Sequence, residues 1–598
     1  MIELIAHNMA PIMFGSLVVF MLLGYPVAFA LAANGLLFFV IGVELAPYSN
    51  GEITLFWPLL QALPDRFWGI MSNETMLAIP FFTFMGLILE RSGMAEDLLD
   101  TIGQLFGPVR GGLAYAVVLV GALLAATTGV VAASVISMGL ISLPIMLRYG
   151  YDRRLATGVI AASGTLAQII PPSIVLIVLA DQLGRSVGDM YAGAIYPAIV
   201  LTGLYLGYVF LMSTFLPKVA PALPAEARAL GGGVKSLFVL GAATIALAFL
   251  LNQLWLPSLG ENAGIWSLTA AVALAYVYAL LDRALNLNTL SRLARTVVVV
   301  LVPPLALIFL VLGTIFLGIA TPTEGGAMGA AGALVLSAMK RKLSMDVVRQ
   351  ALKTTTRLAS FVMFILIGAR VFSLTFYGVN GHIWVEELLT GVPGGTLGFL
   401  IIVNALVFFL AFFLDFFELA FIIVPLLAPV ADKLGIDLIW FGILLGVNMQ
   451  TSFMHPPFGF SLFYLRSVAP RLPYLDRITK KEIAPVTTGQ IYWGAVPFVL
   501  IQVIMVGVVI AFPGLVMHYR EERVQVDPNS IEIVVPGFGG GGLSLPPLGG
   551  AEEQSDALGL PPFGLDGAPP SFGEPAAPAN VADPEDGGGT DLSQPPSF

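Results

Sequence analysis

Residues Ala125 to Val178 read AATTGVVAASVISMGLISLPIMLRYGYDRRLATGVIAASGTLAQIIPPSIVLIV. The stretch is apolar enough to lie in a lipid bilayer, yet small residues and prolines interrupt it. A helix that is broken at Gly164-Thr165 and at Pro171-Pro172 leaves backbone N–H and C=O groups without helical partners. Such groups are tolerated at membrane depth only where they line a cavity or bind a ligand. The stretch therefore predicts a broken membrane helix with a binding role.

The same pattern recurs 285 residues later. Six positions correspond after 285 is added to the residue number, pairing Pro144, Gly150, Asp152, Ser163, Pro171 and Pro172 with Pro429, Gly435, Asp437, Asn448, Pro456 and Pro457. Membrane helices carry Pro and Gly in any case, but a single register over six positions favours a repeat over coincidence. Interrupted apolar segments at matching places in two halves are the best sequence indication of a secondary transporter's substrate and ion site.

The composition excludes an ordinary soluble protein. Hydrophobic residues make up 57% and charged residues 11% of the chain, whereas about a quarter of the residues of a soluble domain are charged. There is no cysteine, and the four histidines have no paired spacing, so neither disulfides nor a metal cluster are expected. No secretory signal is expected. No basic stripe interleaved with aromatic residues indicates a nucleic-acid partner.

The first membrane repeat is predicted for residues 1–216. The run from Met9 to Val43 indicates two short spans or one kinked span, because Gly24-Tyr25-Pro26 interrupts it. Two apolar arms then meet at Thr127-Thr128-Gly129, and each arm is too short to span comfortably. We therefore expect a re-entrant hairpin near residues 111–147. The loop at 148–154 contains three arginines and is predicted to be cytoplasmic.

The rest of the chain is predicted to contain an insertion, a second repeat and a tail. Residues 217–295 indicate an inserted helical hairpin with cytoplasmic loops. Residues 296–518 indicate the second repeat, with a hairpin near 397–431. Residues 519–598 are rich in Pro, Gly and acidic residues and are expected to be disordered. The predicted fold is an all-α polytopic membrane protein with two inverted repeats, each with a re-entrant hairpin and a broken helix.

Freed carbonyls together with hydroxyl and amide oxygens at a broken helix suit a sodium ion, while half-helix N-termini suit an anionic substrate group. In the first half the candidates are Thr127, Thr128 and Gly129, facing Ser163, Gly164, Thr165 and the carbonyls before Pro171. In the second half they are Asn448, Gln450, Thr451, Ser452, Met454 and Pro456, facing Asp415 and Glu418. The alternative for each hydroxyl is a hydrogen bond to a carbonyl of its own helix.

Asp415 and Glu418 interrupt the apolar run AFFLDFFELAFII, and an ionisable residue at membrane depth indicates function by default. The alternative is that the turn reaches the periplasmic interface and that water hydrates both carboxylates. Gly318 and Thr321 are further candidates, and Glu324 beside Thr321 shares the ambiguity of the acidic pair. His455 could titrate near neutrality, but a neutral histidine with satisfied hydrogen bonds is the favoured reading.

At these residues the chain resembles the large membrane subunit of a tripartite ATP-independent periplasmic (TRAP) transporter, the DctM-like family. The matching segments are MLAIPFFTFMGLILERSG, GGLA, ATTG, AASGT followed by IIPPSI, GIATPTE, and VNMQTSF followed by PPFGFSLFYLR. They occur in the family's order between about residues 10 and 515. The sequence departs from the family pattern at Val130 and at Phe416-Phe417, beside the two hairpin tips.

The resemblance implies a sodium-coupled, elevator-type importer in the bacterial inner membrane, with no other cofactor. A periplasmic binding protein would deliver an organic acid, and a small permease subunit, expected as a separate chain, would brace the large one. No ATPase is implied, and the sequence has no Walker motif. An enzyme is not expected, because the sequence has no HExxH, no GxSxG and no cofactor fingerprint. The alternative function is a stand-alone ion-coupled carrier or antiporter of similar architecture.

Overall fold

The computed structural model describes residues 2–128, 131–231, 233–260, 263–456, 459–476 and 478–519. Within these ranges the regular structure is helical apart from a pair of antiparallel strands, Tyr474–Leu475 (β1) and Glu482–Ile483 (β2), and turns and irregular segments join the helices. Seven of the described helices are long and apolar enough to cross a bilayer, or up to nine spans if each of two bent helix pairs is one span. The predicted all-α polytopic fold is confirmed. The predicted disordered tail lies outside the described residues from position 520 onward.

The first half contains eleven described helices, of which the second and third pack side by side. Its helices are Ile2–His7 (α1), Met9–Leu22 (α2), Val27–Leu45 (α3), Leu63–Met71 (α4), Glu74–Arg91 (α5), Met94–Phe106 (α6), Gly112–Thr128 (α7), Val131–Arg148 (α8), Arg153–Thr165 (α9), Ile174–Leu183 (α10) and Val187–Phe215 (α11). The interruption at Pro26 turns the chain back, so that Nδ2 of Asn34 donates to Oγ of Ser16 at 2.6 Å. Of the two predicted arrangements for this run, the structure has two helices.

The insertion and the second half follow. Their helices are Val234–Leu259 (α12), Ala263–Ala284 (α13), Arg292–Phe316 (α14), Pro322–Met339 (α15), Met345–Gly378 (α16), Gly381–Thr390 (α17), Gly395–Leu410 (α18), Phe416–Glu418 (α19), Val424–Lys433 (α20), Leu438–Met449 (α21), Phe460–Val468 (α22), Thr488–Ala511 (α23) and Gly514–Met517 (α24). A π-helical turn, Leu419–Ile423, joins α19 to α20. Helices α12 and α13 form the inserted hairpin and expose apolar side chains such as Phe238 and Phe249, as lipid-facing helices do.

Matching local signals shape both halves. Gly150 and Gly435 have φ values of +84° and +72°, a left-handed conformation that glycine adopts without a Cβ penalty. Two residues later, Asp152 caps α9 by accepting hydrogen bonds from the N–H groups of its first turn, and Asp437 caps α21 in the same way. Each pair is separated by 285 residues. The repeat predicted from the sequence is therefore a repeat of backbone conformation.

Each half contains a helical hairpin followed by a broken helix. Hairpin 1 consists of α7 and α8, and hairpin 2 consists of α18 and the segment from α19 to α20. The arms have 16 to 18 residues, fewer than the about 20 that a comfortable span requires. The first broken helix consists of α9 and α10, and the second consists of α21 and α22. Hairpin 1 is predicted at 111–147 and observed at 112–148, with its tip, 129–130, outside the described residues.

Two ion pairs show how the halves are oriented. Nε of Arg148, at the open end of hairpin 1, lies 2.9 Å from Oδ1 of Asp476, which follows α22. A guanidinium nitrogen of Arg185, which follows α10, lies 3.7 Å from Oδ1 of Asp432 at the open end of hairpin 2. The open end of each hairpin therefore lies beside the C-terminal end of the other half's broken helix. The two hairpins open towards opposite ends of the molecule, and the halves are inverted.

The Arg148–Asp476 contact supports a prediction about pH. The backbone N–H and the hydroxyl of Thr479, together with Arg148, lower the pKa of Asp476 to about 2. Because the unfolded pKa is about 3.9, the carboxylate stabilises the fold above that pH and loses this effect as the pH falls towards 2. The Asp476→Asn variant should therefore unfold at a lower temperature than the wild type in detergent, by a difference that is constant at neutral pH and shrinks below about pH 4.

The exposed Glu482 of the same loop offers a control, and Glu482→Gln should not show this behaviour. If the difference in unfolding temperature between Asp476→Asn and the wild type were unchanged between neutral pH and about pH 2.5, the ionised carboxylate would not stabilise the fold as predicted.

Candidate functional site

The first break lies between α9 and α10. After Thr165 the chain forms a 3₁₀ turn, Leu166–Gln168, and then continues without helix until Ile174. Ser173 begins α10, since its Oγ accepts from the N–H of Leu176 at 3.4 Å and donates to the carbonyl of Gln168. The backbone between the two helices is buried, apart from the partly buried Ile170. Proline and serine therefore produce the predicted interruption inside the protein.

The second break repeats this layout. Helix α21 ends at Met449, a 3₁₀ turn follows at Gln450–Phe453, and α22 begins at Phe460. Of the predicted double proline here, Pro456 is partly buried, and Pro457 lies outside the described residues. Both breaks therefore replace a turn of α-helix by a tighter turn and a non-helical segment.

The two breaks contact each other through residues that the repeat makes equivalent. Nε2 of Gln450 donates to Oγ1 of Thr165 at 3.1 Å, and the two residues are 285 positions apart. A residue can touch its own repeat equivalent only near the axis that relates the halves. Sδ of Met454 lies 4.0 Å from the same hydroxyl oxygen. Thr165, Gln450 and Met454, predicted separately for the two halves, thus form one cluster.

Two residues that the sequence analysis missed extend this cluster. Nε2 of Gln502, from α23, donates to the Tyr205 hydroxyl at 2.9 Å and lies 3.4 Å from Oγ1 of Thr165. Both residues are fully buried. An amide within the apolar run FVLIQVIMVGVVI is a signal that could have identified Gln502, because polar side chains inside a membrane helix are costly.

Several buried oxygens at the breaks are available to a ligand. Oε1 of Gln450, Oγ of Ser452 and Oε1 of Gln168 have no hydrogen-bond partner within the described part of the chain. A buried polar atom without a partner costs about 1–3 kcal/mol. An ion, a substrate or water bound at the breaks would remove this cost.

The other predicted hydroxyls make the helix-internal bonds that were the alternative. Oγ of Ser163 donates to the Ile160 carbonyl at 3.1 Å, Oγ1 of Thr165 to that of Ala162 at 2.8 Å, and Oγ1 of Thr451 to that of Asn448 at 2.7 Å. Such a hydroxyl gives its proton to the backbone and keeps its lone pairs. The hydroxyls of Ser163 and Thr451 can therefore still serve as oxygen ligands. The hydroxyl of Thr165 already accepts from Gln450 and lies 3.4 Å from Nε2 of Gln502, so an ion would have to replace one of these contacts. The side chains of Thr127 and Thr128, and the whole of Gly129, lie outside what the structure describes.

Ser163 and Asn448, which are repeat equivalents, each join a broken helix to its own hairpin. Nδ2 of Asn448 donates to the carbonyl and to Oδ1 of Asn404 in α18, at 2.8 and 2.9 Å. Ser163 packs on Gly121 of α7 so closely that a Cβ on Gly121 would lie 2.5 Å from that of Ser163. Gly164 packs similarly on Val135 of α8. Gly121 is a further residue that sequence analysis missed.

Asp415 and Glu418 cap the second arm of hairpin 2. The N–H of Asp415 donates to Oε2 of Glu418, and the N–H of Glu418 donates to Oδ1 of Asp415, both at 2.9 Å. The turn itself, residues 411–415, precedes them. Both side chains are partly buried, which is neither full hydration nor deep burial. His455 packs as an aromatic residue, with its ring centroid 4.0 Å from that of Phe412.

The GIATPTE candidates lie elsewhere in the fold. Gly318 adopts a left-handed φ of +66° between α14 and α15. Thr321 caps α15 in a reciprocal arrangement with Glu324. Oγ1 of Thr323 donates to the Glu74 carbonyl at 2.6 Å, which places this cap against the start of α5. In the described structure these residues belong to the α5–α15 packing and not to the cluster at the breaks.

The sequence also matches a known family over most of its length. A match to the family "Tripartite ATP-independent periplasmic transporter, DctM component" covers residues 14–515. The chain belongs to this family. The predicted resemblance is confirmed, and with it a large-permease role in transmembrane transport.

Individual DctM relatives are similar over most of their length. The C4-dicarboxylate TRAP transporter large permease protein DctM of Pseudomonas aeruginosa is 29% identical over 422 residues, covering 70% of this chain and 83% of that protein. The protein of the same name from Rhodobacter capsulatus is 29% identical over 464 residues, covering 76% of this chain and 89% of that protein.

The solved structure of the Alcanivorax borkumensis YdaH transporter aligns with a TM-score of 0.45 and 16% identity, over 81% of this chain and 99% of that one.

Proposed function

We propose that this chain is the transport subunit of a sodium-coupled importer for an organic acid that a periplasmic binding protein delivers. The observation that carries the proposal is the meeting of the two broken helices at Thr165 and Gln450. Buried oxygens without hydrogen-bond partners among the described residues lie at both breaks. Unwound helices that present oxygens near the middle of a membrane are the usual sites of coupling ions and substrates in secondary transporters.

Each half would hold sodium with the oxygens of its own break. In the first half we assign this role to Ser163, Thr165 and the carbonyls freed between residues 166 and 173. In the second half we assign it to Asn448, Ser452 and the carbonyls of the Gln450–Phe453 turn. The support is chemical, because hydroxyl, amide and carbonyl oxygens are the ligands that hard cations prefer.

The substrate is proposed to be a carboxylate. The two relatives above are named for C4-dicarboxylates. Helices α10 and α22 begin at the breaks, and the positive end of a helix dipole favours an anionic group. The hairpins and the broken helices would move together in an elevator motion, supported by the Ser163 and Asn448 contacts that join them. The chain would work together with a small permease subunit in the bacterial inner membrane.

The test is uptake of radiolabelled organic acids into proteoliposomes that contain this chain and its small partner. The sodium gradient and the periplasmic binding protein are each present or omitted. We expect uptake that requires both. Uptake that is indifferent to the binding protein would favour the stand-alone carrier, and uptake that is indifferent to sodium would remove the proposed coupling.

A further inference from the structure

A cavity of about 350 Å³ lies away from the breaks, between α4, α10, α16 and the second arm of hairpin 2. One face of α16 lines it through Leu366, Arg370, Ser373 and Tyr377, which are spaced by four, three and four residues. Arg66 of α4 lines it from another side. The cavity thus brings together two arginines that are about 300 positions apart in the sequence.

Both arginines of this cavity lack an ion-pair partner among the described residues. Arg66 and Arg370 form no ion pair or hydrogen bond with any residue that the structure describes. No Asp or Glu is among the lining residues. The nearby Asp181 already accepts from Nδ2 of Asn73 at 2.6 Å and from Nε2 of Gln182 at 2.8 Å. An arginine within an apolar helical run such as FILIGARVFSL is costly unless it meets a partner or a water-filled cavity.

The position of the cavity indicates the side of the membrane that it serves. Gln182, which lines it, is nine residues beyond Ser173, or about 13 Å along α10 from the first break. This is the end of the molecule where Arg185 pairs with Asp432, opposite the basic 148–154 loop. By the positive-inside rule that loop is cytoplasmic, so the cavity lies on the periplasmic side of the breaks.

We propose that this cavity is an anion site that binds the carboxylate groups of an organic acid on the periplasmic side, before the acid reaches the breaks. A guanidinium donates two parallel N–H bonds to one carboxylate, so two unpaired arginines suit an acid that carries one or two carboxylates. The hydroxyls of Ser373 and Tyr377 supply further donors, and Phe421 supplies an apolar wall. The role in import rests on the proposed function, but the binding of the anion does not.

A lipid phosphate has the same chemistry, and the test therefore separates the two sources. The full chain, purified in an uncharged detergent, is modified with phenylglyoxal, and the rate at each arginine is read by peptide mass spectrometry. Succinate, benzoate and acetate are the probes in one arm, and nanodiscs with or without phosphatidylglycerol form the other. We expect at least one organic anion to slow modification of both Arg66 and Arg370 about tenfold when present at ten times its dissociation constant. Arg185, which pairs with Asp432, is the internal control and should be unaffected.

Variants then test whether the two arginines form one site. Arg370→Gln should abolish the protection of Arg66, and Arg66→Gln that of Arg370, whereas Arg185→Gln should preserve both. The proposal is overturned if no organic anion protects either arginine, or if only phosphatidylglycerol does. The protection of the wild-type chain is measured without transport, so its result does not depend on the result of the uptake experiment. If import is confirmed, Arg370→Gln should raise the half-saturating acid concentration about tenfold and leave the maximal rate unchanged.

Discussion

Replacing Ser163 with leucine is expected to abolish uptake and to leave membrane insertion intact. Ser163 is fully buried, and its Cβ faces Gly121 with no room for further atoms. Extra methylene groups in a packed interior cost about 1–3 kcal/mol. We expect the fold to survive this cost while hairpin 1 is forced away from the first break. Uptake into proteoliposomes and the amount of membrane-inserted protein are the two measurements.

Replacing Asn448, the repeat equivalent of Ser163, with leucine is expected to have the same outcome for a different physical reason. Asn448→Leu removes two hydrogen bonds to Asn404 and leaves Oδ1 of Asn404 without this donor inside the protein. Each unpaired buried acceptor costs about 1–3 kcal/mol. Uptake should again be lost while the protein remains in the membrane.

A matched control is available in the inserted hairpin. Ser267 is also buried and also donates to a carbonyl of its own helix, that of Gly264 at 2.9 Å. Ser267→Leu should retain uptake, since α13 contributes nothing to the described cluster. Ser163→Ala then separates packing from ligation, because it removes the hydroxyl without adding volume. Normal sodium-dependent uptake by both Ser163→Leu and Asn448→Leu would remove these positions from the site.

The second large effect is expected at the contact between the two breaks. Valine at position 165 keeps the shape of threonine but removes the oxygen that accepts from Gln450 at 3.1 Å and lies 3.4 Å from Nε2 of Gln502. Gln450 would lose its partner, whereas Gln502 would still donate to Tyr205. We expect Thr165→Val to lower stability by about 1–3 kcal/mol. It should also raise the half-saturating sodium concentration, because the same oxygen is proposed to hold the ion.

A double-mutant cycle tests whether the halves are coupled at this point. Thr165→Val, Gln450→Leu and the double variant are compared by thermal unfolding in detergent and by the sodium dependence of uptake. Residues that share a buried hydrogen bond show coupling energies of about 0.5–3 kcal/mol. Thr157→Val is the control, because Thr157 is equally buried in α9 but donates to the carbonyls of Arg153 and Arg154. Additive effects of the two single changes would show that the contact does not couple the breaks.

The order of the elements could be predicted because it rests on local signals. Proline interrupts the helices at Pro26 and at Pro171-Pro172, although Pro144 and Pro197 lie inside continuous helices. Glycine allows the left-handed turn at both Gly150 and Gly435. Aspartate caps the helix that follows at both Asp152 and Asp437. These signals repeat at a spacing of 285 residues, so the hairpins and broken helices could be located to within a few residues. The DctM family could be predicted from the same segments.

The partners of the candidate residues could not be predicted in this way. The roles of Gly121, Tyr205, Gln502, Arg66 and Arg370 depend on contacts between residues that are far apart in the sequence. A membrane helix is apolar on its lipid face and on its protein face, so its hydrophobic pattern does not show which side meets a neighbour. The reciprocal capping of Asp415 and Glu418 is a different case, because it joins residues only three positions apart and is a local pattern.

The sequence by itself therefore determined that the chain is a membrane protein of two related halves, with interruptions at two matching places. Local backbone chemistry is sufficient for this, since proline, glycine and capping residues act within a few positions of themselves. Only the tertiary structure decided that Thr165 meets its own repeat equivalent and that two distant arginines share one cavity. Those contacts arise from the packing of helices against one another, where close approach and not apolar periodicity selects the neighbour.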